Sequence, residues 1–109
     1  MANIYKNTFF DLTTTDTTDV YTCPSDSRAI IQNIQLTNES GTTQVEVFVY
    51  DNSATTEYEI SHDSVGANET VNMAKGPVIL EESDVLRVKA GAINVVSGMV
   101  SILEINRNN

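Results

Sequence analysis

The sequence of 109 residues contains one cysteine, one histidine, two prolines and no tryptophan. The single cysteine, Cys23, excludes an internal disulfide, and one cysteine with one histidine is too few for a structural zinc site. The longest apolar stretch, residues 92–105, is interrupted by polar residues, so we expect no membrane-spanning segment. Residues 1–12 lack the pattern of a secretory signal peptide. We therefore expect a soluble chain that is made in a reducing cytoplasm.

Basic residues are also scarce, because six Lys and Arg stand against 15 Asp and Glu and the formal net charge is -9. Binding to DNA or RNA needs clustered Lys and Arg that displace counterions from phosphates. Only Arg87 and Lys89 are close to each other in the sequence. The same deficit disfavours attraction to an anionic membrane surface. We expect neither nucleic acid nor membrane as a partner.

β-branched residues are abundant: Val, Ile and Thr make up 34 of the 109 residues, against five Leu. Such side chains favour strands, because they are stiff and pack well on a pleated surface. Short runs of period 2, separated by turn residues, follow one another along the chain. The pattern predicts one all-β domain over residues 1–109, an antiparallel β-sandwich of roughly eight to nine strands with jelly-roll or Greek-key connections.

Two expectations concern the arrangement of these strands. Residues 28–37 and 43–51 are separated by a short turn at residues 38–41, which predicts that they pair as a hairpin. Residues 97–106 carry apolar side chains at both odd and even positions. A strand of that kind is covered on both faces, so we predict a central strand there.

The run Ser61-His62-Asp63 contains the three residue types of a hydrolase triad. Adjacent side chains on a strand point to opposite faces, so these three cannot converge on one substrate. The period of the same strand predicts Tyr58 and Ile60 toward the core and Ser61 toward solvent. We interpret His62 as a partly exposed strand histidine that no catalytic partner reaches.

Cys23 and the acidic turn at residues 81–84 are the other candidates for chemistry. A nucleophilic cysteine needs a base or a cationic environment, and the sequence shows neither beside Cys23, which favours a small buried hydrophobe. The acidic turn could bind calcium through carboxylate oxygens. It lacks the ordered spacing of a calcium loop, and we favour a solvated turn. We expect no catalytic residue, no cofactor, no metal site and no enzymatic activity.

Aromatic residues mark two candidate contact regions. Phe48 and Tyr50 lie, by period 2, on the face of their strand opposite its three valines. A sheet that is apolar on both faces packs against another layer, either within the domain or in a partner, and both alternatives stay open. The N-terminal strand, residues 4–12, is a candidate exposed edge. The predicted interface residues are Ile4, Tyr5, Phe9, Phe10, Phe48 and Tyr50.

Four segments of the sequence combine a strand pattern with particular residues at the strand ends. Residues 20–24 form a strand ending at a proline, residues 27–38 a strand ending in Thr-Asn, residues 76–88 a Pro-hydrophobic-Leu-Glu segment before an acidic turn, and residues 100–104 a closing strand with Leu-Glu. Together they resemble small virion structural proteins of tailed bacteriophages, particularly those of marine and cyanobacterial hosts. The resemblance implies a β-sandwich that attaches to a capsid or tail lattice without a cofactor, and it provides no catalytic residues.

The leading interpretation from this resemblance is a head decoration or cement protein, made in the bacterial cytoplasm and bound in many copies to the outside of the virion. Many copies add avidity to modest contacts, and an acidic surface suits a location away from packaged DNA. The expected partners are the major capsid protein, other virion proteins and further copies of the chain. The alternatives are a tail, neck or fibre component, and a carbohydrate- or receptor-binding module, which would need an exposed aromatic ring with converging polar groups.

Overall fold

A computed structural model describes residues 2–107; residues 1 and 108–109, the two ends of the predicted domain, lie outside the described residues. No helix in this part of the chain is long and apolar enough to span a membrane. The described residues form nine strands: β1 (Ala2–Asp11), β2 (Thr18–Thr22), β3 (Ser27–Asn38), β4 (Thr43–Asp51), β5 (Thr56–Val65), β6 (Glu69–Asn72), β7 (Val78–Leu80), β8 (Val85–Ala90) and β9 (Val96–Asn106).

The strands form two sheets in which every pairing is antiparallel. Sheet A has the order β1-β9-β3-β6, with β7 also paired to β3, and sheet B has the order β2-β8-β4-β5. The chain passes from one sheet to the other between β1 and β2, β2 and β3, and β3 and β4, which is the connectivity of a jelly roll. The predicted fold class, an antiparallel β-sandwich with jelly-roll connections, is confirmed.

The core fills the space between the two sheets, and period 2 determines which residues enter it. In β8, Leu86, Val88 and Ala90 are fully buried, while Arg87 and Lys89 point away from the core. The inward residues of the other strands meet them from both sheets in one continuous apolar cluster. The abundance of β-branched residues in the sequence therefore supplies the inward positions of a sandwich.

β3 and β4 do not form the predicted hairpin, because β3 belongs to sheet A and β4 to sheet B. The buried side chain of Asn38 holds the crossing between them, since its amide donates to the carbonyl oxygens of Gly41 at 2.7 Å and Val65 at 2.9 Å. The prediction was wrong because any strand with one buried face shows this alternation. The pattern is the same for two neighbours in one sheet and for two strands that face each other across the core. The hairpin in the structure is β4–β5.

β9 is the central strand predicted for residues 97–106, since it lies between β1 and β3 in sheet A. Its inward residues Val100 and Ile102 are buried in the core. Its outward residues Leu103 and Ile105 are also apolar and are only partly buried. The outer face of sheet A therefore carries apolar side chains that the core does not use.

β5 contains a β-bulge at Ile60, where the register with β4 shifts by one residue. The bulge reverses the alternation, so Ser61 is buried and the prediction that it faces solvent was wrong. Its hydroxyl is the buried side-chain oxygen that lacks a hydrogen-bond partner among residues 2–107. Tyr58 and Ile60 are exposed at the rim of the sandwich, and the prediction that they enter the core was also wrong.

Candidate protein-binding face

The outer face of sheet A carries four apolar side chains in register. Tyr5 of β1 pairs with Leu103 of β9, Leu103 with Ile30 of β3, and Ile30 with Ile79 of β7. They lie side by side across four strands, over roughly 14 Å at the usual spacing of neighbouring strands. Tyr5 is 76% exposed and Ile79 57%, while the two central residues are partly buried. We call these four residues the apolar row.

A second apolar pair lies further along the same face. Phe9 of β1 is 71% exposed and pairs with Met99 of β9. The two side chains border an open depression of about 570 Å³, whose other lining residues include Gln35, Thr37 and Ser97. A depression with an aromatic and a thioether wall and a polar side can receive one anchoring side chain of a partner protein.

Charged side chains are rare on this face. At the outward positions of the paired strands that the structure describes, the charged residues are Asp11 and Arg28, at opposite ends of the face. Arg28 is ion-paired with Glu81 at 3.7 Å and with Glu82 at 3.4 Å. A partner can therefore cover the apolar row without burying an unpaired charge, which would be costly.

The outer face of sheet B is charged by contrast. Phe48 and Tyr50 lie there, both partly buried, and the guanidinium carbon of Arg87 is 4.8 Å from the centre of the Tyr50 ring. Arg87 also donates to Asp19 at 2.7 Å and to Glu57 at 3.1 Å. The Tyr50 ring is thus covered within the molecule by a cation that is itself held in place by two carboxylates.

The structure separates the residues that the sequence grouped as an interface. Tyr5 and Phe9 lie on the outer face of sheet A. Ile4 is exposed but lies on the other side of β1. Phe10 is buried in the core and also lines the depression beside Phe9, so its side chain offers a partner little surface. Neighbouring residues on a strand point to opposite sides, and Phe9 occupies the outward one.

Sequence reasoning missed the rest of the apolar row, namely Ile30, Ile79 and Leu103. A partial signal was present, because β3 and β9 both carry apolar residues at odd and even positions. That signal indicates a strand covered on both faces. It does not say that the outward residues of four strands come into one line, which depends on register between distant segments.

A buried polar cluster links the two sheets near β1. The Tyr21 hydroxyl donates to Glu104 Oε2 at 2.5 Å, and Lys6 Nζ lies 3.1 Å from the same oxygen. Burial and the hydrogen bond to Glu104 raise the pKa of Tyr21. The carboxylate has both a hydrogen-bond donor and a cation beside it, so the cluster fits a structural link between β1, β2 and β9.

Cys23 is a buried free thiol, as predicted. Burial, followed by the negative charges of Glu104 and Asp84, raises its pKa to about 11. The thiol is therefore protonated at neutral pH, when only the thiolate is a good nucleophile. Its environment is that of an inert core residue.

The acidic turn at residues 81–84 uses its carboxylates within the molecule. Asp84 is buried and accepts hydrogen bonds from the backbone N–H of Asn52 at 3.0 Å and of Glu81 at 2.9 Å. Glu82 pairs with Arg28 and Arg107. A backbone hydrogen bond lowers the pKa of Glu82 most, and the two cations lower it further. The prediction of a solvated turn was wrong for Asp84, which ties the turn to the neighbouring loop.

The Ser-His-Asp run does not converge, as predicted, because Ser61 is buried and His62 is exposed on the outer face of sheet B. His62 nevertheless has partners. Its Nδ1 lies 3.2 Å from Glu59 Oε2, and its Nε2 lies 2.8 Å from Gln44 Oε1. Glu46 completes a group of possible metal ligands with Glu59 and His62.

By sequence, no protein family and no curated protein matches this chain. By structure, it is similar to a chain of the Bacillus endospore appendages, which are disulfide-linked pili, with a TM-score of 0.54, 13% identity, and coverage of 94% of this chain and 85% of that one. A chain of the capsid of Helicobacter pylori bacteriophage KHP30 gives a TM-score of 0.46, 12% identity, and coverage of 95% and 87%.

A third similar structure contains the CBM22-1 and GH10 modules of xylanase 10B from Clostridium thermocellum, with a TM-score of 0.46 and 12% identity. The match covers 85% of this chain and 19% of the xylanase chain. At this level of identity a likeness concerns the fold, and function has to be argued from the site. The likeness to the endospore appendage shows that the chain has a β-sandwich fold found in other proteins.

Proposed function

We propose that this chain is a structural protein of a phage virion, a decoration protein that attaches to the outside of the capsid lattice through the outer face of sheet A. The observation that carries the proposal is the apolar row, in register across four strands and open to solvent. Contiguous apolar surface on a protein that is otherwise charged marks a site of protein contact. The resemblance of residues 20–24, 27–38, 76–88 and 100–104 to phage virion proteins supports the choice of partner.

The energetics fit a contact that is repeated many times. Burying one large apolar side chain fully contributes about 1.5–3 kcal/mol, and association of two proteins costs roughly 4–15 kcal/mol before any affinity appears. The apolar row, together with Phe9 and Met99, therefore gives a single copy of the protein only modest affinity for the capsid. Repetition at each equivalent position of a lattice, with contacts between adjacent copies, adds avidity and stabilises the particle.

The distribution of charge supports attachment in this orientation. The net charge of the chain is -9, and the outer face of sheet A bears few of the charged side chains. A molecule that docks with this face turns the acidic outer face of sheet B away from the capsid. The acidic groups are then far from the packaged DNA, whose phosphates would repel them.

Co-sedimentation with phage capsids that lack this protein tests the proposal. The double variant Tyr5→Ser/Ile79→Ser removes the two most exposed members of the apolar row and is expected to weaken binding by about tenfold or more, the equivalent of about 1.4 kcal/mol. The control is Ile93→Ser, because Ile93 is 54% exposed, like Ile79 at 57%, but lies outside the strands of this face. The control is expected to bind as the parent does.

A second double variant, Phe48→Ser/Tyr50→Ser, distinguishes the two candidate faces. Unchanged binding by this variant is expected, because both residues lie on the outer face of sheet B. Loss of binding here, with normal binding by Tyr5→Ser/Ile79→Ser, would move the interface to sheet B. A glycan array tests the carbohydrate-binding alternative. If the parent protein binds a glycan and Tyr5→Ser does not, the result would contradict the proposal that this face binds capsid protein.

A further inference from the structure

The outer face of sheet B brings together three side chains that the sequence left apart. One ligand atom of each of Glu46, Glu59 and His62 lies within 4.8 Å of the other two. Two carboxylate oxygens and one imidazole nitrogen form a donor set that suits Zn²⁺ and related ions. We propose that these residues form a binding site for a divalent transition-metal ion, a role that the sequence expectation of no metal site did not foresee.

The β-bulge of β5 creates this arrangement. Residues three apart on a regular strand point to opposite faces, so Glu59 and His62 would be separated by the sheet. The extra residue Ile60 shifts the register, so that His62 pairs with Glu46 while Glu59 pairs with Phe48. Both side chains then share the outer face, with His62 Nδ1 3.2 Å from Glu59 Oε2. Bulges commonly re-aim a side chain in this way at functional positions.

The contacts of the imidazole ring indicate which nitrogen binds the metal. Nε2 lies 2.8 Å from Gln44 Oε1, and Nδ1 lies 3.2 Å from Glu59 Oε2. Both partners are acceptors, whereas a neutral imidazole has one N–H. When Nε2–H donates to Gln44, the lone pair of Nδ1 faces the Glu59 carboxylate and is free to bind a metal ion. Histidine ligands of metals have this arrangement, with the second N–H held by an oxygen.

A metal ion between Nδ1 and Glu59 has a third donor within reach. The second carboxylate, Glu46, supplies that donor and a further negative charge, and both favour a divalent ion. Lys89 of β8 lies opposite Glu46 in the strand register, on the side of β4 away from β5. Its positive charge opposes metal binding, so Lys89→Gln is expected to raise the affinity for Zn²⁺.

The site lies on the opposite side of the sandwich from the face that we propose to bind the capsid, so an attached molecule would leave it exposed. Three protein donors leave further coordination positions for water. The metal site does not depend on the proposed function: His62→Ala is expected to abolish metal binding and to leave attachment to capsids unchanged. Metal binding and attachment to capsids can therefore be tested independently of each other.

Nuclear magnetic resonance of the imidazole gives a direct test, because His62 is the only histidine in the chain. Titration with ZnCl₂ near neutral pH is expected to shift the Nδ1 signal to that of a metal-bound nitrogen, while Nε2 stays protonated. Mg²⁺ and Ca²⁺ are expected to leave the ring unchanged, because they prefer oxygen ligands. A ring that does not respond to Zn²⁺ would overturn the proposal.

Calorimetric titration of variants with ZnCl₂ tests the ligand set. Glu46→Gln, Glu59→Gln and His62→Ala are each expected to weaken binding by more than the roughly tenfold loss expected for Gln44→Ala, which removes only the orienting hydrogen bond. The control is Glu57→Gln, which removes a carboxylate from the same strand and face but not from the cluster. Equal losses in Glu57→Gln and Glu59→Gln would contradict a defined site and indicate general attraction by negative charge.

Discussion

Gly98 of β9 lies so close to Gln35 of β3 that a Cβ atom at position 98 would overlap the Gln35 carbonyl oxygen, and it would lie 2.8 Å from Leu36 Cβ. The obstructing atoms belong to the neighbouring strand and not to the end of a flexible side chain. Gly98 also lines the depression beside Phe9 and Met99. The absence of a side chain at this position therefore sets how closely the two central strands of sheet A approach.

Gly98→Ala is expected to destabilise the protein by about 3 kcal/mol, at the upper end for overpacking, because strand backbone would have to move. The measurement is the free energy of unfolding in urea. Gly91→Ala is the matched control, since the nearest atom to its Cβ would be the Gln44 carbonyl oxygen at 3.8 Å. Equal stability of Gly98→Ala and Gly91→Ala would contradict the close approach of β9 and β3.

Asp84→Ala is expected to cost about 2–4 kcal/mol, because it removes a buried carboxylate and leaves two partly buried backbone N–H groups without their charged acceptor. Thermal unfolding measures the loss. The exposed neighbour Glu81, whose carboxylate is 3.7 Å from Arg28, provides the control: Glu81→Gln is expected to change stability by less than about 1 kcal/mol. A stability that falls on addition of EDTA and recovers with calcium would show instead that the turn holds a metal ion.

Cys23 is expected to resist alkylation in the folded protein. The thiol is buried, and its raised pKa of about 11 leaves little thiolate at neutral pH. Labelling with iodoacetamide near neutral pH, followed by mass spectrometry, is expected to modify the chain only after unfolding in urea. Rapid modification of the native protein would mean that the thiol is accessible and reactive.

Stability is expected to fall at alkaline pH. Burial raises the pKa of Cys23 from 9.0 to about 11, so the folded protein keeps a proton that the unfolded chain loses earlier. The resulting stabilisation is complete below about pH 9 and is lost as pH rises toward about 11. The pKa of Tyr21 is raised as well and acts in the same direction. The free energy of unfolding, measured against pH for the parent and for Cys23→Ala, should decline less steeply in the variant.

Local pattern was sufficient to predict much of the fold. In β8, for example, the buried Leu86, Val88 and Ala90 alternate with Arg87 and Lys89, because a strand with one buried face follows period 2. The same pattern could not decide which strands are neighbours. β3 and β4 alternate in the manner of a hairpin and yet lie in different sheets, since pairing depends on the connection at Asn38 and on the rest of the core.

The candidate face could be predicted only in part for the same reason. Tyr5 and Phe9 stand out as aromatic residues in the sequence, but sequence alone did not decide between Phe9 and Phe10 for the outward position. Ile79 belongs to a strand of three residues, and its place beside Ile30 follows from pairing between segments far apart in the chain. Register of that kind is set by the whole sheet.

The metal-ligand group of sheet B was hidden by the bulge. Regular alternation places Glu59 and His62 on opposite faces, and one extra residue at Ile60 reverses that relation. The sequence around Ile60 contains no glycine that would indicate a bulge. Its position is determined by the packing of β5 against β4 and the rim of the core, which is tertiary information.

Cryo-electron microscopy of intact virions reports both the location of the protein and the face that it uses. We expect many copies on the outside of the head, with Tyr5, Leu103, Ile30 and Ile79 against capsid subunits and the outer face of sheet B turned to solvent. Density confined to a single ring at the neck or tail would contradict the decoration role. Copies on the head that expose the apolar row to solvent would contradict the proposed contact.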